Sequence, residues 1–207
     1  MIKLLIFDMD NTLFDTYGQL GVHVLDRMIE KMKKHGLTSK QEGVMREKYM
    51  TTGFRTVANM LKLSEELKEI GKSTYKDMDL SRIKPFDDVD LIKEFKQKKI
   101  LVTSGTEKVQ NEKIRILGIA PLFDEIIVDL YGSSESRDKI FRELLEKYEV
   151  KPEEVMVLGD NAEAEIAAGN NLGMITVQIL RRPFLKGKAD YYVKNLYEFR
   201  KILDEMR

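Results

Sequence analysis

Asp8 and Asp10 stand one residue apart in Ile6-Phe7-Asp8-Met9-Asp10-Asn11-Thr12-Leu13, directly after the apolar run of residues 2–7. Residues i and i+2 of an extended chain point to the same side, so both carboxylates can serve one site. One can attack an electrophile while the other handles a proton. The run before them is short, apolar and β-rich, which reads as a buried strand. Acids ejected at the C-terminal end of such a strand sit where open α/β sheets place their active sites. Taken alone, the doublet is equally suited to capping a following helix through Asp10 or Asn11.

Two further strand ends favour chemistry. Lys99-Ile100-Leu101-Val102-Thr103-Ser104-Gly105-Thr106 is an apolar strand ending in hydroxyls and a glycine. A strand-to-helix turn of that kind offers a hydroxyl and backbone N–H groups to phosphate oxygens. Glu154-Val155-Met156-Val157-Leu158-Gly159-Asp160-Asn161 adds another carboxylate at a strand end. Together Asp8/Asp10, Thr103/Ser104 and Asp160 describe a metal–phosphate site, and their hard oxygen ligands suit Mg2+.

At these residues the chain resembles the haloacid dehalogenase-like superfamily, chiefly its phosphatases. Asp8-Met9-Asp10-Asn11-Thr12 matches the family's first motif, Asp-x-Asp-x-Thr; Thr103 matches the second and Gly159-Asp160 the fourth. The resemblance also takes in Lys84-Pro85-Phe86-Asp87-Asp88-Val89 and Asn171-Leu172-Gly173-Met174, so it spans nearly the whole chain. It implies an aspartyl-phosphate mechanism with Asp8 as nucleophile and Asp10 as general acid and base. Mg2+ would be held by the Asp8 carboxylate, the Asp10 backbone carbonyl and Asp160. Thr12, Thr103 and the N–H of Ser104 or Gly105 are expected at the phosphoryl oxygens. Asn161 and Glu165 are candidates to hold metal-bound waters, with a solvated helix position equally open to Glu165, where the family usually has an Asp. The third motif, a basic residue about 25 residues before the Gly-Asp, is irregular: counting back reaches Glu135. Glu135-Ser136-Arg137-Asp138-Lys139 offers Lys139 or Arg137, with Lys139 preferred.

The elements that must position these residues follow from texture. Residues 15–84 carry helical periodicity and no convincing strand: Val22, Leu25, Met28, Ile29 and Met32 recur at three- and four-residue steps, and Gly36 ends that helix. Further helices are expected at 41–50, 55–63 and 65–70, with Gly53 between the first two. From Pro85 the pattern alternates: helix 88–98, strand 100–103, helix 107–116, strand 125–130, helix 138–148, strand 154–158, helix 162–170, strand 174–179 and a helix from about Asn195. Such alternation implies a parallel sheet. The expected fold is α/β, a Rossmann-like parallel sheet core (residues 1–14 and 85–207) with an inserted all-helical cap (15–84).

Composition narrows the function. Lys+Arg and Asp+Glu are both 35, so no net charge steers the chain to nucleic acid or an anionic membrane. There is no cysteine, hence no disulfide or thiolate chemistry, and two histidines, His23 and His35, are too few for a zinc site. No apolar run nears the roughly 20 residues of a membrane helix and none reads as a signal peptide, so a cytoplasmic protein is expected, acting as a monomer or homodimer. No Gly-x-Gly-x-x-Gly follows the first strand and no Walker sequence is present. Asp10 argues against a dehalogenase, which needs no acid for its leaving group. The resemblance implies, as the expected activity, Mg2+-dependent hydrolysis of a small phosphorylated metabolite. A sugar-phosphate mutase and a catalytically impaired binding protein are the alternatives. Within the cap, Gly53-Phe54-Arg55 makes Arg55 the first candidate for a substrate contact, ahead of Arg46 and Tyr49, with a surface role the alternative for each.

Overall fold

The computed structural model describes residues 1–130, 133–182 and 185–206; Arg207, the end of the expected core, lies outside them. The chain forms two compact units, Met1–Asp15 with Lys84–Arg207, and Thr16–Ile83.

The first unit is built on a six-stranded sheet: β1 (Leu4–Phe7), β2 (Lys98–Ser104), β3 (Glu125–Asp129), β4 (Val155–Gly159), β5 (Ile175–Ile179) and β6 (Tyr191–Val193). Every pairing is parallel, in the order β3-β2-β1-β4-β5-β6. The chain runs outward from β1 to β3, then returns to the other side of β1 and runs outward again. The strand order therefore reverses between β1 and β4, and open α/β sheets bind ligands outside the carboxyl ends of the strands at such a reversal. Phe7 pairs in register with Leu101 on one side and Leu158 on the other, so the residues after all three strands share one edge.

Both faces of the sheet are covered, which is why its strands read as continuous apolar runs. Leu4, Ile6, Ile100, Val102, Val155 and Val157 pack with Phe141 and Leu144 of α5 (Ser134–Tyr148) and Ala168 of α6 (Glu165–Leu172). On the opposite face Phe7, Phe95 and Phe199 of α7 (Leu196–Glu205) interlock, with ring centroids 5.6 to 6.4 Å apart. Burying each such side chain contributes about 1.5–3 kcal/mol.

Three elements depart from the sequence reading. The helix expected over 88–98 is a single 3-10 stretch, Val89–Glu94. Asp88 does not cap a longer helix there; its carboxylate accepts from the Arg181 guanidinium and the Leu196 N–H. The helix expected from 138 begins at Ser134, because Ser133 and Ser136 form a reciprocal cap. Strand β6 has three residues, too few to show a period of two.

The second unit holds α1 (Val22–Lys33), α2 (Ser39–Met60) and α3 (Glu65–Lys76) after a π turn at Tyr17–Gly21. Val24, Leu25, Met28, Ile29 and Met32 are the buried stripe of α1. Thr38 and Gln41 cap α2 reciprocally, and Ser64 caps α3. At φ 75°, ψ 166°, Gly53 breaks α2 into two segments, a conformation costly for any side-chain-bearing residue. Among the described residues no helix is long and apolar enough to cross a membrane.

Candidate active site

Asp8 is the first residue past β1, and its N–H donates to the Leu158 carbonyl of β4 at 2.9 Å. That bond extends the ladder by one residue and fixes the buried carboxyl at the strand reversal. Asn11 turns the loop with a φ of 58°, a left-handed conformation that Asn tolerates. Its side-chain amide donates to Asp160 Oδ2 at 3.3 Å, tying the loop after β1 to the end of β4.

Asp8, Asp160 and Glu165 bring one carboxylate oxygen each to within 4.8 Å of one another. Burial pushes all three carboxyls above their usual range; for Asp8 and Asp160 the charge of Glu165 pushes further the same way. Arg137 and the Met9 N–H partly oppose the shift at Asp8, and the Asn11 amide at Asp160. Three acids this close, two buried and Asp160 half-buried, repel one another unless a cation or protons intervene. An all-oxygen set of that kind fits a hard divalent ion. Glu165 thus stands in the acid cluster rather than as a solvated helix residue. Its Oε1 accepts from the Asn161 N–H at 2.7 Å. Asn161 also closes a turn, its Oδ1 accepting from the Glu163 N–H at 3.0 Å. Gly159 makes room for this arrangement: a Cβ there would lie 2.3 Å from Glu165 Oε1.

The basic residue beside Asp8 is Arg137. Its side chain is 1% exposed, with Nη2 3.5 Å from Asp8 Oδ1, and Nε lies 3.6 Å from Asp129 Oδ2 at the end of β3. Nη2 also donates to Ser104 Oγ at 2.9 Å. Among the described residues Arg137 Nε and Nη1 have no hydrogen-bond partner although buried. Lys139, preferred from the sequence, is exposed on α5. Two residues further along a helix is about 200° around it, which turns its side chain away from the face that carries Arg137.

Asp10 is held differently from Asp8. Its Oδ1 accepts from Lys113 Nζ at 2.6 Å and its Oδ2 from Gln110 Nε2 at 2.9 Å. Gln110 Nε2 also donates to Thr103 Oγ1 at 2.6 Å. Two expected phosphate ligands differ in detail, Thr12 and Gly105. Thr12 is fully buried behind Asp8, its Oγ1 3.5 Å from Asp8 Oδ2 and its carbonyl accepting from Arg181 Nε at 2.9 Å, so it backs the Asp8 carboxyl. The Gly105 N–H is committed to the Asp129 carbonyl at 3.0 Å, which removes it as a phosphate donor. Ser104 Oγ accepts from Arg137 as above. Arg55 is exposed on α2 of the second unit. Gln110, Lys113 and Asp129 are the residues at the site that the sequence reading missed.

This geometry can be set beside known proteins. Residues 2–173 match the haloacid dehalogenase-like hydrolase family. A glyceraldehyde 3-phosphate phosphatase of Methanopyrus kandleri is 30% identical over 199 residues, covering 87% of this chain and 85% of that protein. One of Methanocaldococcus jannaschii is 25% identical over 228 residues, covering 100% and 99%. A haloacid dehalogenase-like hydrolase of known structure from Streptococcus pneumoniae shares the fold, with a TM-score of 0.76 at 17% identity over 98% of both chains. The chain belongs to the haloacid dehalogenase-like hydrolase family. Within that family it is a phosphatase, a hydrolase of phosphoric monoesters.

Proposed function

We propose that this enzyme hydrolyses a small phosphorylated metabolite through an aspartyl-phosphate on Asp8 and depends on Mg2+. The observation that carries the reading is the convergence of Asp8, Asp160 and Glu165 within 4.8 Å, with Arg137 against Asp8. The Asp8 carboxylate attacks phosphorus and the bond to the leaving oxygen breaks, while Asp10 gives that oxygen a proton. Asp10 then takes a proton from a water that attacks the acyl phosphate, releasing phosphate and restoring Asp8. Asp8, Asp160, Glu165 and the Asp10 carbonyl would hold Mg2+, which when bound offsets the repulsion between an anionic nucleophile and an anionic substrate. Arg137 holds negative charge at Asp8, and its unpartnered Nη1 is suited to a phosphoryl oxygen, Nε being turned to Asp129. Thr103 Oγ1 already accepts from Gln110, so its own O–H is the donor left for a phosphoryl oxygen.

The substrate reading comes from the relatives named glyceraldehyde 3-phosphate phosphatase: a triose phosphate or a comparably small phosphorylated aldehyde or polyol. The test is phosphate release from glyceraldehyde 3-phosphate and a panel of short phosphate esters, with Mg2+ and with excess chelator. Turnover should vanish in chelator and in Asp8→Asn. Full turnover in chelator, or a phosphoryl group recovered on a residue other than Asp8, would overturn the mechanism.

A further inference from the structure

Lys113 and Gln110 are buried polar residues that the chemistry above does not use. They lie three residues apart on α4 (Glu107–Leu117), in line with the buried Ile114 and Leu117. Apolar residues normally fill such a stripe. A lysine is rarely buried unless it is paired, yet the Lys113 side chain is 6% exposed, pairing with Asp10 and lying over the Phe14 ring at 5.6 Å. The two side chains supply one N–H donor to each oxygen of the Asp10 carboxylate, at 2.6 and 2.9 Å. A carboxylate gripped at both oxygens from one helix has its plane and both torsions fixed. Gln110 carries a second duty. Its amide nitrogen spends its other hydrogen on Thr103 Oγ1, so one side chain connects the strand end that carries Asp10 to the strand end that carries Thr103.

We infer that Lys113 and Gln110 are positioning residues for hydrolysis. They hold the Asp10 carboxylate for proton transfer, and Gln110 also turns the Thr103 hydroxyl so that its O–H faces away from α4 as a donor. This rests on Asp10 being the general acid and base. The charge of Lys113 belongs to this task, since a methionine would fill the same space in the stripe without it.

The test is a double-mutant cycle. Lys113→Met and Gln110→Met are each made in the natural enzyme and in Asp10→Asn, and kcat is measured in saturating Mg2+ with a short alkyl phosphate. A residue that works through Asp10 loses its effect once Asp10 is gone, because such couplings are not additive. Lys113→Met should lower kcat about 10- to 100-fold in the natural enzyme and less than about 3-fold in Asp10→Asn, a share of the 10²–10⁴ that acid–base catalysis supplies. Lys113→Arg should restore part of the loss. With 4-nitrophenyl phosphate, whose leaving group needs little protonation, the first burst of nitrophenolate should survive in Lys113→Met and slow in Gln110→Met, which also loses its hold on Thr103. Equal losses in the two backgrounds would make Lys113 merely structural and end the inference. Gln110→Met, an uncharged exchange of similar shape, gives a second cycle if Lys113→Met does not fold: its loss should shrink in Asp10→Asn without vanishing, because the contact with Thr103 is lost in both backgrounds, and an undiminished loss would end the inference. Should Asp10→Asn itself keep near-natural kcat on the alkyl phosphate, the acid–base reading fails first. An impaired Asp10→Asn that still shows the full Lys113→Met loss sinks only the positioning role.

Discussion

Replacing Arg137 by methionine removes one guanidinium from between two buried carboxylates. At the 3.5 Å that separates Arg137 Nη2 from Asp8 Oδ1, a pair of unit charges is worth about 5 kcal/mol at an effective dielectric of about 20. Part of that attraction exists before the reaction begins. The share felt only as charge develops on the phosphoryl group is smaller, on the order of 2–4 kcal/mol, as for other preorganised donors. Arg137→Met should therefore lower kcat/KM about 30- to 1,000-fold. It should also push the Asp8 carboxyl further up, because Arg137 is what opposes the effect of burial there.

Stability should fall as well, by about 3–5 kcal/mol, the usual loss on breaking a buried ion pair from one side. Asp129, almost fully buried, would keep only its Ser136 hydroxyl, at 2.8 Å, of the two partners named here. Arg137→Lys separates charge from shape. A lysine has one donor centre and cannot reach Ser104 Oγ while also facing Asp8 and Asp129, so its loss should be intermediate. Lys139→Ala, on the exposed side of α5, should change rate and stability by no more than about 0.5 kcal/mol. The assay is steady-state hydrolysis of 4-nitrophenyl phosphate and of a short alkyl phosphate in saturating Mg2+, with a thermal melt of each variant. Rates within about threefold of natural for Arg137→Met, or an equal loss in Lys139→Ala, would refute the assignment of the third motif to Arg137.

The acid cluster gives a prediction in which function and stability oppose each other. Burial raises the carboxyls of Asp8, Asp160 and Glu165 above their unfolded values, so their contribution to folding is complete below about pH 4 and is lost as pH rises through the raised values. The metal-free protein should melt lower at pH 8 than at pH 5, Mg2+ at a hundred times its Kd should add about 2.7 kcal/mol, and Asp160→Asn should melt higher than the natural chain at pH 8 in chelator while losing the response to Mg2+. A lower melt for that variant in chelator would count against electrostatic strain in the cluster. Gly159→Ala puts a methyl group 2.3 Å from Glu165 Oε1, so it should displace Glu165, weaken Mg2+ binding measured by calorimetry and cost about 1–3 kcal/mol of stability; unchanged Mg2+ affinity would remove Glu165 from the metal set. Arg55→Ala should raise KM for phosphorylated metabolites with an anionic or hydroxylated leaving group and barely alter hydrolysis of a simple aryl phosphate. Equal effects on both substrates would remove Arg55 from substrate recognition.

Strands β1 to β5 were legible because both faces of a parallel sheet are covered and leave apolar runs, and the acids at the ends of β1 and β4 were legible because they interrupt those runs; the short, half-exposed β6 left no such run. What distance along the chain could not supply was angular position. Counting back from Asp160 reaches Glu135 and leaves both Arg137 and Lys139 within a loop's uncertainty, with nothing in the spacing to show which of them faces the site. The helix decides between them: Arg137 is in phase with the buried Phe141 and Leu144, four and seven residues on, whereas Lys139 falls out of phase, nearer the exposed Arg142, Glu143 and Glu146. The same phase argument exposes Gln110 and Lys113, which share a stripe with Ile114 and Leu117. In both helices a polar residue stands where the period calls for an apolar one, and in both it reaches a carboxylate of the first motif. Burying those groups costs stability unless they are paired, so a polar residue in phase with a core stripe points inward to its partner. The Gly105 N–H carried no such mark. Its commitment to the Asp129 carbonyl depends on the pairing of β2 with β3, a relation between two segments that neither segment encodes alone.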